Sequence, residues 1–245
     1  MARQRADVLL VERGLAPSRE RARALVMAGK VFLGQRRVEK AGDLLAGDAA
    51  LEVRGEDLPY VSRGGVKLAG ALDALGVDPR GRVVADFGAS TGGFTDCVLQ
   101  RGALRVYAID VGRGQLHEKL RQDPRVISME KTNARALAAA SLPERVGLVV
   151  IDASFIGLGK LLPAACAVLD EGGEILAMVK PQFEVGPKGL RKGVVRDAAL
   201  RASAIAGVEA EARALGLEVG GRCDSVLPGP DGNLEAFLHL VPTSA

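Results

Sequence analysis

The sequence predicts a two-part α/β chain: a small N-terminal α+β unit followed by a doubly wound domain with a mostly parallel sheet. Three observations carry this. From residue 80, the apolar runs RVVADFG, RVYAIDV, VISM, VGLVVIDA and GEILAMVK alternate with stretches long enough for crossover helices. The tail departs from that alternation: GLEVGGRCDS and NLEAFLHLV flank the Pro/Gly turn LPGPDG, too short for anything but an antiparallel pair, so the last strand runs against the rest. Residues 5–54 follow another pattern, with two helical periods and several brief strands. The expected division is 1–58 for the first domain, 59–81 for a linker and leading helix, and 82–245 for the second domain.

In the first unit, RADVLLVERG reads as a helix ending at Gly14. A second helix starts at Ser18, a plausible N-cap, and stops at Gly29. On it Ala22, Leu25 and Val26 share one face, and Arg19 and Arg23 stand one turn apart on another. Short strands are expected around VFLG, QRRVEK and AALEVRG, and the polar GEDLP stretch, 55–59, reads as the linker. In the second unit, the five apolar runs are strands, a helix is expected near 197–215, and the final two strands close the sheet.

With 245 residues, 48% of them apolar and 26% charged, the chain can bury a large core and a small one. No apolar run reaches the roughly 18 to 20 residues that span a bilayer, and charges interrupt MARQRADVLLVERG where a signal peptide would be apolar. A cytoplasmic protein that engages no membrane is expected. Cys97, Cys166 and Cys223 are widely separated, with no CxxC pair and only His117 and His239 beside them. That excludes a disulfide framework and a zinc site, and the thiols are expected to be inert and largely buried. Residues 1–40 hold ten Lys/Arg against four Asp/Glu, so the N-terminal part presents a basic surface. With no tryptophan and 3% aromatics, any nucleic-acid contact should rest on phosphates rather than base stacking alone.

The first strand of the second unit ends in ADFGASTGGFTD, where Gly88, Gly92 and Gly93, with Ala89 and Ser90 between them, let backbone approach a ligand. Asp110 closes the next strand 22 residues after Gly88, where a carboxylate can accept from ribose hydroxyls. The spacing G-x-x-x-G-G is neither the dinucleotide fingerprint nor a P-loop, which disfavours NAD and ATP. S-adenosylmethionine fits best, since it offers ribose and adenine without a pyrophosphate; a tight turn with no ligand is the plainer alternative. Asn133 is a weaker candidate for the adenine side, and a loop cap describes it equally well.

Asp152, in VVIDASF, reaches the same rim. DASF lacks the Asn/Asp-Pro-Pro-Tyr/Phe loop that accompanies amine methylation, and none of the cysteines follows a proline, as a cytosine-attacking nucleophile typically does. The rim offers lysines instead: Lys180 ends the fifth strand and Lys67 lies in VSRGGVKLAGAL. A hydroxyl acceptor must lose its proton, and a lysine amine can take it only when neutral, a form favoured by a nearby ammonium and partial burial. Taken singly, each lysine reads more readily as a strand-end or helix-face residue whose amine reaches water.

SRERARALVMAGKV, VSRGGVKL, DFGASTGGFTD, DASFIGL, VKPQFEVG and GNLEAFL, in that order, span nearly the whole chain. It resembles the TlyA (haemolysin A-like) rRNA cytidine-2′-O-methyltransferases, whose catalytic domain is similar to that of FtsJ/RrmJ and whose N-terminal module is similar to the αL RNA-binding fold of ribosomal protein S-four. The resemblance implies a Rossmann-like class I methyltransferase with a mostly parallel seven-stranded sheet, its last strand antiparallel, that uses S-adenosylmethionine and no metal, as a monomer acting on rRNA in ribosomal subunits. It also implies a Lys-Asp-Lys-Glu tetrad at Lys67, Asp152, Lys180 and Glu235. Lys180 would activate the ribose hydroxyl, with Lys67 and Glu235 tuning it.

Arg19, Arg23, Lys30, Arg36, Arg37 and Lys40 are candidates for phosphate contacts, as are Arg63 and, in the basic stretch 186–197, Lys188, Arg191 and Lys192. That stretch is expected to order on RNA. Phe155 and Phe183 could stack a target base, core packing being the plainer reading of each. Three rivals remain: a base methyltransferase, a non-catalytic ribosome-assembly factor and a membrane-active haemolysin.

Overall fold

A computed structural model describes residues 3–27, 29–34, 36–53, 58–186 and 189–243. The chain divides into two compact units, Met1–Asp57 and Leu58–Ala245, so residues 59–81 belong with the second. Positions 55–57 of the expected linker lie outside the described residues.

In the first unit β1 (Arg3–Arg5) runs straight into α1 (Ala6–Glu12), followed by α2 (Arg19–Met27), β2 (Val31–Leu33), β3 (Arg36–Arg37), β4 (Leu44–Ala46) and β5 (Leu51–Val53). Strands β3, β2 and β5 form one antiparallel sheet and β1 pairs with β4. The sequence pattern shows neither β1 nor β4, because three residues are too few for a period of two to register. Ser18 Oγ accepts from the Arg21 amide at 3.2 Å, and α2 is followed by Gly29 at φ +68°, a left-handed stop that glycine adopts without strain. Ala22, Leu25 and Val26 pack with Leu9, Leu10 and Val31 in the small core.

Arg19 and Arg23, candidates for phosphate contact on one face of α2, converge with Arg5 on Asp7, which is fully buried. Its carboxylate accepts from Arg5 at 3.0 and 3.2 Å, from Arg23 at 3.1 Å and from Arg19 at 3.2 Å. A buried carboxylate must be paired, and in the first turn of α1 it also meets the positive end of the helix. The Arg5 guanidinium, with Arg23 and Arg19 behind it, holds the Asp7 carboxyl far below the usual range against the opposing effect of burial.

The second unit begins with α3 (Arg63–Leu75). Next come β6 (Val83–Phe87), α4 (Gly93–Gln100), β7 (Arg105–Ile109), α5 (Glu118–Arg121), β8 (Val126–Met129) and β9 (Val146–Ile151). Then follow α6 (Leu162–Val168), β10 (Leu169–Val179), α7 (Pro181–Glu184), α8 (Ala198–Ala214), β11 (Leu217–Asp224) and β12 (Ala236–Pro242). The seven-stranded sheet has the order β11-β12-β10-β9-β6-β7-β8, and β12 is antiparallel to both its neighbours while the pairs among β10, β9, β6, β7 and β8 are parallel. The expected doubly wound sheet with a reversed last strand is therefore observed. Alternate residues feed two cores: Ala85, Phe87, Val149 and Ile151 face α6 and α8, whereas Val84, Leu148 and Val150 face α3 and α4. The chain leaves β6 toward β7 and β8, then crosses back to β9 on the other side, so a crevice opens at the carboxyl ends of β6 and β9.

Burial pushes the Cys97 thiol up to about 11 and raises the half-buried Cys166 and Cys223 as well, in line with unreactive thiols. Among the described residues no helix is long and apolar enough to cross a membrane.

Asp7→Asn is expected to lower the unfolding free energy of the first unit by about 2 kcal/mol in denaturant titrations of the full chain. That is below the roughly 3–5 kcal/mol of fully buried pairs because the three arginines stay about half exposed. The folded pKa of Asp7 is depressed, so its contribution is complete above the unfolded value of about 3.9 and drains away as pH falls below it. The difference between wild type and variant should therefore shrink in unfolding curves taken below about pH 4.

Candidate active site

Five elements meet at the rim of the crevice. Strand β6 ends at Phe87, and Gly88 follows at φ +86° with a Cβ position only 2.8 Å from the backbone oxygen of Asp152. Any other residue there would push the turn away from the loop after β9. Strands β9 and β10 end just before Asp152 and Lys180. Because β12 runs opposite to β10, with Ala236 across from Val179, its beginning lies where the parallel strands end, and that places Glu235 on the same rim. Helix α3 supplies Lys67.

These residues form two ion pairs. Lys67 Nζ donates to Glu235 Oε2 at 2.5 Å, with side chains 8% and 1% exposed. Lys180 Nζ lies 2.6 Å from Asp152 Oδ1 and donates to Ser154 Oγ at 2.8 Å. Both pairs line a single cavity of about 680 Å³, which also receives Gly88, Ala89, Ser90 and Gly93 of the glycine turn. Its size suits a small-molecule site, and its polar groups converge from separate elements.

Asp110 lies just past β7, but both of its carboxylate oxygens already accept backbone amides, from Ser90 at 2.8 Å and from Gly112 at 2.7 Å. Each oxygen keeps a lone pair for a further donor. Gly92 caps α4 in a left-handed conformation rather than lining the cavity. Asn133 caps the short 3₁₀ turn Ala134–Ala136, accepting from the Arg135 amide at 3.1 Å.

Of the candidates for phosphate contact, Arg19 and Arg23 are engaged by Asp7, and Arg37 pairs with Glu39 at 3.0 Å. Arg36 and Lys40 are exposed and Lys30 is partly buried. Arg63 lines the cavity and donates to the Pro228 carbonyl at 3.3 Å. Arg191 and Lys192 are exposed on a small turn, and Lys188 lies outside the described residues. That turn is tied down: buried Asn233 accepts from the Val195 amide at 2.9 Å and donates to the Gly193 carbonyl at 3.0 Å.

Asn233, Ser154 and Asp86 escaped the sequence reading, although all three sit inside quoted motifs. Asp86 is fully enclosed in β6, accepts from the Thr95 hydroxyl at 2.7 Å and has a second oxygen without a partner among the described residues. Burial pushes its carboxyl up to about 7, with the charge of Asp152 adding to the shift and the Thr95 bond opposing it. Phe155 corrects the core-packing expectation: it is 91% exposed, at φ +64°, with its ring 5.3 Å from that of Phe183.

Residues 60–241 match the FtsJ-like methyltransferase family and residues 4–50 match the S4 domain. The 16S/23S rRNA (cytidine-2′-O)-methyltransferase TlyA of Mycobacterium tuberculosis is 46% identical over 240 residues, 97% of this chain and 90% of that protein. Hemolysin A of Brachyspira hyodysenteriae is 34% identical over 239 residues, 97% of this chain and 99% of that protein. A solved structure from Streptococcus thermophilus, named as a hemolysin, superposes with a TM-score of 0.77 at 42% identity, covering 100% of this chain and 90% of that one. Every described residue that lines the cavity falls within 60–241, and the chain belongs to the FtsJ-like methyltransferase family.

Proposed function

We infer that this chain methylates the 2′-hydroxyl of a cytidine ribose in rRNA, with S-adenosylmethionine as donor. The observation that carries the reading is the convergence of two lysine–carboxylate pairs on one cavity beside the glycine turn. The M. tuberculosis relative, matched over 97% of this chain, bears that activity in its name.

The residues fit the donor: an open glycine turn without a phosphate-gripping lysine borders the cavity, and Asp110 stands at the end of the next strand. Gly88, Ala89, Ser90 and Gly93 would hold it, with Asp110 toward its ribose and Gly92 shaping the turn as the cap of α4. When bound, S-adenosylmethionine supplies an electrophilic methyl group on a positively charged sulfur. Lys180 then acts on the acceptor. Asp152 and Ser154 hold its Nζ at the cavity wall, where the neutral amine, not the ammonium of the ion pair, would take the proton of the ribose hydroxyl. Glu235 is held by Lys67 at the same cavity wall.

Residues 1–58 serve as the RNA-binding part, 59–81 as the linker and leading helix, and 82–245 as the transferase. Exposed Phe155 offers a face on which a nucleotide turned out of its helix can stack. Basic groups at Lys30, Arg36, Lys40, Arg63, Arg191 and Lys192 meet phosphates. Such a substrate places the work in the cytoplasm, with the ribosomal subunits.

Mass spectrometry of nuclease-digested rRNA incubated with the protein and donor is expected to show 2′-O-methylcytidine; a methylated base, or no change, would overturn the reading. Lys180→Ala should lower kcat by at least about 10²-fold in the same assay, with donor affinity changed less than about twofold. Phe155→Ala should remove about 1–3 kcal/mol of stacking, seen as a roughly 5- to 150-fold fall in kcat/KM for RNA with no loss of thermal stability.

A further inference from the structure

The loops after β9 and β10 touch at three successive places. At the start, Lys180 meets Asp152 and Ser154. In the middle, the Phe183 ring packs on Phe155 at 5.3 Å and 47°. At the end, Glu184 Oε1 accepts from the Leu158 amide at 2.9 Å.

This last contact has no partner in the proposed chemistry, yet its geometry is specific. Leu158 opens the 3₁₀ turn Leu158–Lys160, and Gly157, which precedes it, provides no side-chain cap. The amide would be an orphan of the kind every helix start exposes, and a carboxylate from another loop satisfies it. Gly157 leaves the necessary room, since a Cβ there would fall 3.1 Å from Glu184 Oε2. Between the first and last contacts sits Phe155 in the left-handed region, a strained conformation for a non-glycine residue that persists only where its surroundings hold it.

We propose that Glu184 is a positioning residue that clamps the far end of the 153–160 segment and so keeps Phe155 presented to the cavity beside Lys180. The clamp needs an acceptor of the right reach, not a charge. Burial raises the Glu184 carboxyl, with Glu211 of α8 adding to the shift and the Leu158 amide and Lys160 opposing it, so the neutral amide of a glutamine is a fair replacement. The catalytic part of this assignment rests on the methyl-transfer reading above; the clamp itself does not.

The test compares Glu184→Ala and Glu184→Asp, which cannot reach the Leu158 amide, with Glu184→Gln, which can. Hydrogen exchange in the full chain, without substrate, is expected to speed up across 153–160 in the first two and to stay unchanged in the third, with β9 and β10 protected throughout. In methylation of rRNA, kcat/KM for RNA should fall about tenfold or more in the first two and stay within about twofold in the third, with donor affinity unchanged in all. Unchanged exchange at 153–160 in Glu184→Ala and Glu184→Asp would overturn the clamp, as would a Glu184→Gln protein as impaired as they are. A wild type that fails to methylate would overturn the methyl-transfer reading and the catalytic consequence of the clamp, while exchange would still decide the clamp itself.

Discussion

Lys67 and Glu235 are 168 residues apart in sequence and 2.5 Å apart in space, and water scarcely reaches either. An ion of that size costs several kcal/mol to remove from water even after the protein relaxes, so neither side chain could stay buried alone. The pair constrains everything around it. Helix α3 has to lie across the sheet near its carboxyl rim, and the strand that begins after Glu235 has to run backward. Were β12 parallel to β10, its beginning would lie at the opposite edge, away from Asp152 and Lys180.

The same physical rule organises the first unit. There the buried acid is Asp7, and it gathers three arginines that would otherwise spread apart. In both units a carboxylate that cannot tolerate isolation fixes where cations stand. The difference lies in exposure: the arginines remain about half open to solvent, whereas Lys67 is enclosed.

Much of this was legible in the sequence because the signals are local. Largely apolar stretches announced β6, β7, β9 and β10, and the short Pro/Gly turn announced the reversed tail. Strands β1 and β4 were not legible, since three residues carry no periodicity and gain their identity from a partner about forty positions away. The four rim residues could be named through family motifs, but their pairing could not: nothing in RGGVKL says that its lysine faces GNLEAFL rather than DASF. Arg19 and Arg23 were visible as a basic helix face, while their shared acid lay on another helix. Burial misled in the opposite direction at Phe155, where an aromatic residue beside a strand end invites a place in the core and instead stands in the open, held by a backbone conformation that no propensity foretells.

The reversal of β12 also sets an order in time. Lys67 is synthesised about 170 residues before its counter-charge, so this ion pair cannot form until the stretch that opens β12 has been made. Contacts of such separation form late and slowly. Until then the rim holds only one of its two ion pairs, and Lys67 has no buried carboxylate to meet.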